Sequence, residues 1–160
     1  MRSAAASGAR VAVLYTSVFE AIRDVKEEIR EDMDLAINAR SVTEALRSGG
    51  HDAWTYPFGK DPGELISGLR SPPGTEAVFN LSECPNLSPE KELHACALLE
   101  LLRLPYTGNG PLALGICNSK ALAKQLMIAN GIPTPRFRLY TYDPAGEPGL
   151  SYPLVVKPAN

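Results

Sequence analysis

The chain has 160 residues, 44% of them hydrophobic and 21% charged, which is enough to bury a core without disulfide staples and suits one domain, or one domain plus a fragment. Sixteen Lys and Arg against eighteen Asp and Glu leave a formal charge of -2, which excludes a general nucleic-acid or polybasic membrane binder, so any anion it holds must be bound locally. Cys84, Cys96 and Cys117 form no CxxC pair, and no apolar run approaches the ~20 residues that span a bilayer. The sequence therefore reads as a cytoplasmic protein with reduced thiols, and the small, polar stretch 1–9 as a flexible N-terminus.

Val11-Ala-Val-Leu-Tyr15 is a short continuous apolar run, the pattern of a strand covered on both faces, and is expected to be the central strand of a parallel sheet. From Phe19 to Asp34 charges of both signs interleave, as in a solvated helix or ordered loop. Leu35, Ile37, Val42, Ala45 and Leu46 then recur at helical intervals up to a Gly49-Gly50 stop. His51 to Pro57 predicts a second strand, and Asp61-Pro62 caps a short helix to about Leu69. A third strand is expected over Glu76–Leu81. Ser88-Pro89-Glu90 opens a helix whose apolar stripe is Leu93, Ala97, Leu98, Leu101 and Leu102. Leu104–Gly108 reads as a short strand into a turn, and Pro111–Cys117 as a small, apolar stretch. Ser119 caps a helix from Lys120 to Asn130, ended by Gly131 and Pro133. Arg136–Tyr142 and Tyr152–Lys157 are expected strands joined by a hairpin turn over 143–149. The order of elements predicts an α/β fold, a parallel layer with a second domain beginning near residue 119.

In an open parallel sheet ligands gather at the carboxyl ends of the strands, which directs attention to three loops. Thr16, Ser17 and Glu20 follow the first strand, Ser82 and Glu83 the third, and Gly108-Asn109-Gly110 the short fourth. The glycines from 108 to 115 fit neither the dinucleotide fingerprint, which needs glycine at Ala113, nor the phosphate loop, which needs Gly-Lys-Ser/Thr at Gly115-Ile116-Cys117. Lys120 opens a helix, where a cation opposes the helix dipole unless something anionic compensates it. Lys157 follows the apolar run Leu154-Val-Val156 and precedes Pro158, a stiff mount for a charge aimed at a phosphate. With no HExxH, no Cys/His cluster and no GxSxG elbow, neither zinc nor a serine nucleophile is expected.

Several of these residues recur as a series: Val-Phe-Asn-Leu at 78–81, Leu-Leu-Glu-Leu-Leu at 98–102, Leu-Pro-Tyr-Thr-Gly at 104–108, Lys120 with Lys124, Gly-Ile-Pro-Thr-Pro at 131–135, and Pro-Leu-Val-Val-Lys-Pro at 153–158. In that order and spacing the chain resembles the D-alanine–D-alanine ligase family of the ATP-grasp superfamily. The resemblance implies a Rossmann-like pre-ATP-grasp domain over 10–118 and the truncated start of an ATP-grasp domain over 119–160. It implies Lys120 and Lys157 as ATP-phosphate ligands, with ATP and Mg2+ as cofactors of the intact family, and small-molecule substrates. It also implies an acyl-phosphate mechanism serving peptidoglycan precursor synthesis, and a homodimer, since members of the family commonly pair through this domain. No nucleic-acid or membrane partner is implied.

The sequence departs from the family at definite places. Ser119 stands where the family has Asp before the first lysine, the GGxSxE loop after strand one is absent, and Ser82-Glu83 replaces the family's His-Gly. The resemblance leaves Glu20 as the candidate for the role of the family glutamate that recognises the first D-alanine, and with Ser82 and Glu83 it makes up the candidate substrate-binding set. The family's phosphate loop, oxyanion arginine and magnesium ligands have no counterpart up to Asn160, so the 160-residue chain alone is expected to be catalytically inactive, with no catalytic residue and no metal ligand of its own. Two alternatives stand beside a D-alanine-specific ligase: an ATP-grasp ligase for another amino acid or peptide, and a non-catalytic module that binds a small ligand.

Overall fold

The computed structural model describes residues 8–16, 28–59, 61–71, 74–83, 92–140 and 149–158. Residues 1–7 of the expected flexible N-terminus, Ser17, Glu20, Cys84, the Ser88-Pro89 cap and most of the 143–149 turn lie outside the described residues, whereas Ala9 is tied down by bonds to His51 and Asp52. The chain divides into two compact units, residues 1–111 and 112–160.

The first unit is built on β1 (Arg10–Thr16), α1 (Glu28–Ser48), β2 (Asp52–Phe58), α2 (Pro62–Arg70), β3 (Ala77–Leu81) and α3 (Glu92–Leu101). Its sheet is parallel with the order β2-β1-β3, which makes β1 central as its unbroken apolar run predicts. Val13 lies opposite Thr55 on one side and Phe79 on the other. The alternation of side chains sends Ala12 and Leu14 into a core with Leu65 and Leu69 of α2, Val78 of β3, and Ala95 and Leu99 of α3. Val11 and Val13 are also buried, and α1, which carries the buried Ala39 and Thr43, packs against β1 and β2. The chain thus leaves β1 for β2 on one side and, after α2, crosses to β3 on the other. With right-handed crossovers this puts α1 and α2 on opposite faces and a switch point between β1 and β3.

Local chemistry explains the element ends. Asp61 accepts the Gly63 N–H at 2.7 Å and caps α2, with Pro62 at its first position. Helix α1 ends in a Schellman motif, Gly50 N–H to Arg47 O and His51 N–H to Leu46 O, with Gly50 at φ +87°. The described part of the helix already includes Glu28–Asp34, within the charged stretch and before the apolar spacing becomes visible. The lower edge of the sheet is closed by Arg10, which donates from Nε to Gly74 O at 2.8 Å and pairs with Glu76 at 3.2 Å, and by His51 Nδ1, which accepts from Ala9 N–H at 3.1 Å. His51 is therefore half-buried and structural, not the surface residue its position after a helix stop suggests. The short strand expected over 104–108 is reduced to a single parallel bridge, Val78 with Tyr106, because Pro105 supplies no N–H.

In the second unit the apolar stretch after Gly110 is a helix, α4 (Pro111–Asn118), whose small and apolar residues show no polar face and so no helical period. Helix α5 (Lys120–Ala129) begins at Ser119, whose Oγ accepts Leu122 N–H at 3.4 Å. It closes in a second Schellman motif with Gly131 at φ +68°. The strands expected over Arg136–Tyr142 and Tyr152–Lys157 are not formed in their described parts, 136–140 and 152–157. Strand propensity holds an extended segment only where a neighbouring backbone pairs with it. Here Val155 and Val156 are 80% and 96% exposed, and no strand among the described residues borders them.

Helix α3 also ends in a Schellman motif, Arg103 N–H to Glu100 O and Leu104 N–H to Leu99 O, but its left-handed residue is Arg103, at φ +56°. A side chain at that position costs on the order of 1 kcal/mol relative to glycine. Arg103→Gly is expected to raise stability by about that amount, read as an upward shift in the thermal unfolding midpoint.

Candidate functional site

At the carboxyl end of the sheet the apolar run of β1 gives way to Thr16, which is 2% exposed. A buried hydroxyl needs a partner, and Thr16 Oγ1 donates to the carbonyl of Glu83 in the segment leaving β3. The preceding residue, Ser82, is buried and bound to Asn80: its N–H and its hydroxyl both reach Asn80 Oδ1, at 3.1 and 2.8 Å. Asn80 extends the network to the third loop, donating its backbone N–H to Thr107 Oγ1 at 2.9 Å, and to α3, donating from Nδ2 to Cys96 Sγ at 3.3 Å. Thr16, Ser82 and Glu83 are therefore brought together at the switch point between β1 and β3, as their positions after strand ends suggest. Asn80 and Thr107 belong to the same cluster and were legible only as an asparagine inside an apolar strand and a threonine ahead of a glycine turn.

The electrostatics of this end are those of like charges. Burial, and then the nearby Glu83 charge, push the Glu92 carboxyl above the ordinary carboxylate range. Burial and Glu92 push the Cys96 thiol up, against the opposing effect of the Asn80 hydrogen bond, so this cysteine is a packed thiol and not a nucleophile. Close by, Tyr106 donates to Glu100 Oε1 at 3.0 Å, and its phenol is pushed up to about 12, chiefly by desolvation. Among the described residues no group of three or more His, Cys, Asp and Glu could hold a metal ion. A carboxyl whose folded pKa is raised adds stability below its ordinary value of about 4.3 and loses that contribution as pH rises through the folded value. Glu83→Gln is expected to move the Glu92 titration downward without restoring the ordinary value, because burial, the larger cause, remains. Carboxyl 13C shifts followed against pH read this directly.

In the second unit Lys120 and Lys157 both have exposed side chains. Lys120 stands at the first position of α5, and the first turn of that helix carries no acidic residue. Lys157 sits on a segment that belongs to no helix or strand, in place of the stiff strand expected of it. Lys124, one turn along α5, is engaged: its Nζ donates to Pro135 O at 2.8 Å and Thr134 Oγ1 at 3.0 Å, and lies 5.4 Å from the Phe137 ring centroid. It pins the Gly-Ile-Pro-Thr-Pro turn to the helix. Lys124→Met is expected to open residues 131–137 to proteolysis while cleavage within α5 stays unchanged; equal loss of protection along α5 would show that the lysine supports the helix instead.

The sequence has clear relatives. A D-alanine–D-alanine ligase of Nitratidesulfovibrio vulgaris is 37% identical over 131 residues, 79% of this chain and 40% of that protein. A protein of the same name from Halorhodospira halophila is 44% identical over 121 residues, 74% of this chain and 36% of its own length. An uncharacterised protein of Sinorhizobium fredii is 37% identical over 127 residues, 75% of this chain and 37% of its own length. No protein-family model matches the chain. The chain spans about two fifths of the length of the curated relatives it matches. It is a relative of the D-alanine–D-alanine ligase family of the ATP-grasp superfamily, matching the amino-terminal part of those longer proteins.

Proposed function

We propose that this chain supplies the amino-terminal part of an ATP-dependent carboxylate–amine ligase of the D-alanine–D-alanine ligase type. In this reading a substrate carboxylate is phosphorylated to an acyl phosphate, which an amine attacks with loss of phosphate. The observation that carries it is the match to ligases over about three quarters of the chain, a span that reaches across both structural units. The geometry agrees with it in two respects. A polar cluster stands at the β1–β3 switch point, where open α/β sheets take their ligands, and Lys120 stands at the positive end of α5, where a phosphate group would relieve an unfavourable cation. When bound, ATP with magnesium supplies the phosphoryl group and neutralises its charge. This chain's part is to present Lys120, with Lys157, as donors to the phosphates and to hold the substrate at Glu83.

The departures at Ser82-Glu83 and after strand one bear on which amine and acid are joined, so the test must not presuppose D-alanine. Residues 8–158 would replace the matching segment of the Nitratidesulfovibrio vulgaris ligase, and phosphate release would be measured across D- and L-amino acids. The expected result is amine-dependent turnover that Lys120→Ala lowers by at least roughly tenfold, the loss of one charge-assisted contact. The 160-residue chain alone is expected to release no phosphate. A folded chimera that binds ATP but responds to no amine would overturn the ligase reading and favour a module that only binds a small ligand.

A further inference from the structure

Asn80 is a polar residue in the apolar strand Ala77–Leu81, and a hydrophobic residue there would pack the sheet without the desolvation of an amide. Its hydrogen bonds go to three different places. Oδ1 accepts from the N–H of the residue two positions on, an Asx turn that ends β3 and redirects the chain at Ser82. The backbone N–H holds Thr107 of the neighbouring loop, and Nδ2 holds Cys96 of α3. One residue beyond the turn, the Glu83 carbonyl is caught by Thr16 of β1. The Ser82–Glu83 backbone is thus held at two points, by Asn80 of its own strand and by Thr16 of β1, and the Ser82 hydroxyl is engaged with Asn80 Oδ1.

We propose that Asn80 is a positioning residue: by ending β3 in an Asx turn it sets the Ser82–Glu83 segment so that Glu83, and not the Ser82 hydroxyl, faces the substrate. The role assigned to Glu83 rests on the reading that substrate lies at the β1–β3 switch point, whereas the turn itself does not. Ser82 is thereby reassigned from ligand contact to turn support. The departure from the family's His-Gly also gains a physical content, since serine and glutamate divide two tasks, bracing the loop and meeting the ligand.

The test uses the whole 160-residue chain, with amide exchange read by 15N NMR. In Asn80→Ala the Ser82 amide is expected to exchange roughly tenfold faster relative to Val13, the loss of about one hydrogen bond. In Asn80→Asp, which keeps an acceptor at the same place, Ser82 protection stays close to the wild type; this variant also decides the matter should Asn80→Ala fail to fold. Uniform loss of protection across the sheet in both variants would show a packing role and overturn the proposal. A second arm titrates D-alanine, and then the amino acid giving the largest response in the chimera, against the chain while amide shifts at Ser82 and Glu83 are followed. Asn80→Ala is expected to bind roughly tenfold more weakly than the wild type, and Ser82→Ala, which keeps the amide bond to Asn80 Oδ1 and loses only the bracing hydroxyl, is expected to weaken binding clearly less than that. Equal weakening by Ser82→Ala would make the hydroxyl a ligand contact and overturn the reassignment. If the wild type responds to no amino acid, the substrate reading fails by itself, and the exchange arm still decides the role of Asn80.

Discussion

The burial of β1 from Val11 to Leu14 is the constraint from which the candidate site follows. Ala12, Val13 and Leu14 have no exposed surface, the strand is paired along both edges, and helices cover both faces. Between Val11 and Leu14 no polar side chain could reach water, so polar groups are confined to the ends of the strand, Arg10 at one and Tyr15 and Thr16 at the other. Thr16 is the last of these. Even there it remains buried, and the partner it takes, the Glu83 carbonyl, fixes where the segment after β3 begins. The position of the polar cluster is therefore a consequence of burial upstream.

The two ends of the sheet differ in how their charges are arranged. At the lower end Arg10 and Glu76 are of opposite sign and close on each other through a salt bridge and two backbone links, Arg10 N–H to Glu76 Oε2 at 2.8 Å and Glu76 N–H to Arg10 O at 2.9 Å. At the upper end Glu83 and Glu92 are of one sign, and the Glu92 carboxyl is driven up by burial and by that neighbour. Paired charges of opposite sign are what a sheet edge needs to be stable. Like charges held together by the fold raise its energy in the ionised state, and such sites belong more often to function than to stability. This difference, together with the switch point, distinguishes the upper end from an ordinary polar rim.

Where residues carried a local physical signal, the sequence was a sufficient guide. The apolar run of β1, the Asp61-Pro62 cap, the Gly49-Gly50 stop and Ser119 before α5 all do structurally what their chemistry implies, because each depends on neighbours within a few residues. Legibility failed where an outcome depends on distant partners. Leu154–Lys157 has the composition of a strand but lacks a paired backbone, and α4 is a helix without the polar face that would announce one. Asn80 stood in plain view inside a recognised motif. Its importance depends on Thr107 and Cys96, 27 and 16 positions away, and no local pattern encodes those distances.

Lys120 and Lys124 show how position on one helix separates two like residues. They lie one turn apart on α5, near enough for like charges to oppose each other by a few tenths of a kcal/mol. Lys124 resolves its charge with a carbonyl, a hydroxyl and an aromatic face, none of them anionic, so the helix gains no negative charge from it. Lys120 stays exposed at the positive end of the dipole with no acidic residue in the first turn. A further cation there is unfavourable to the isolated helix by about 0.3–1 kcal/mol, and an anion at the same place reverses the sign. The arrangement is inexpensive for the fold to carry and becomes favourable once any anion is near.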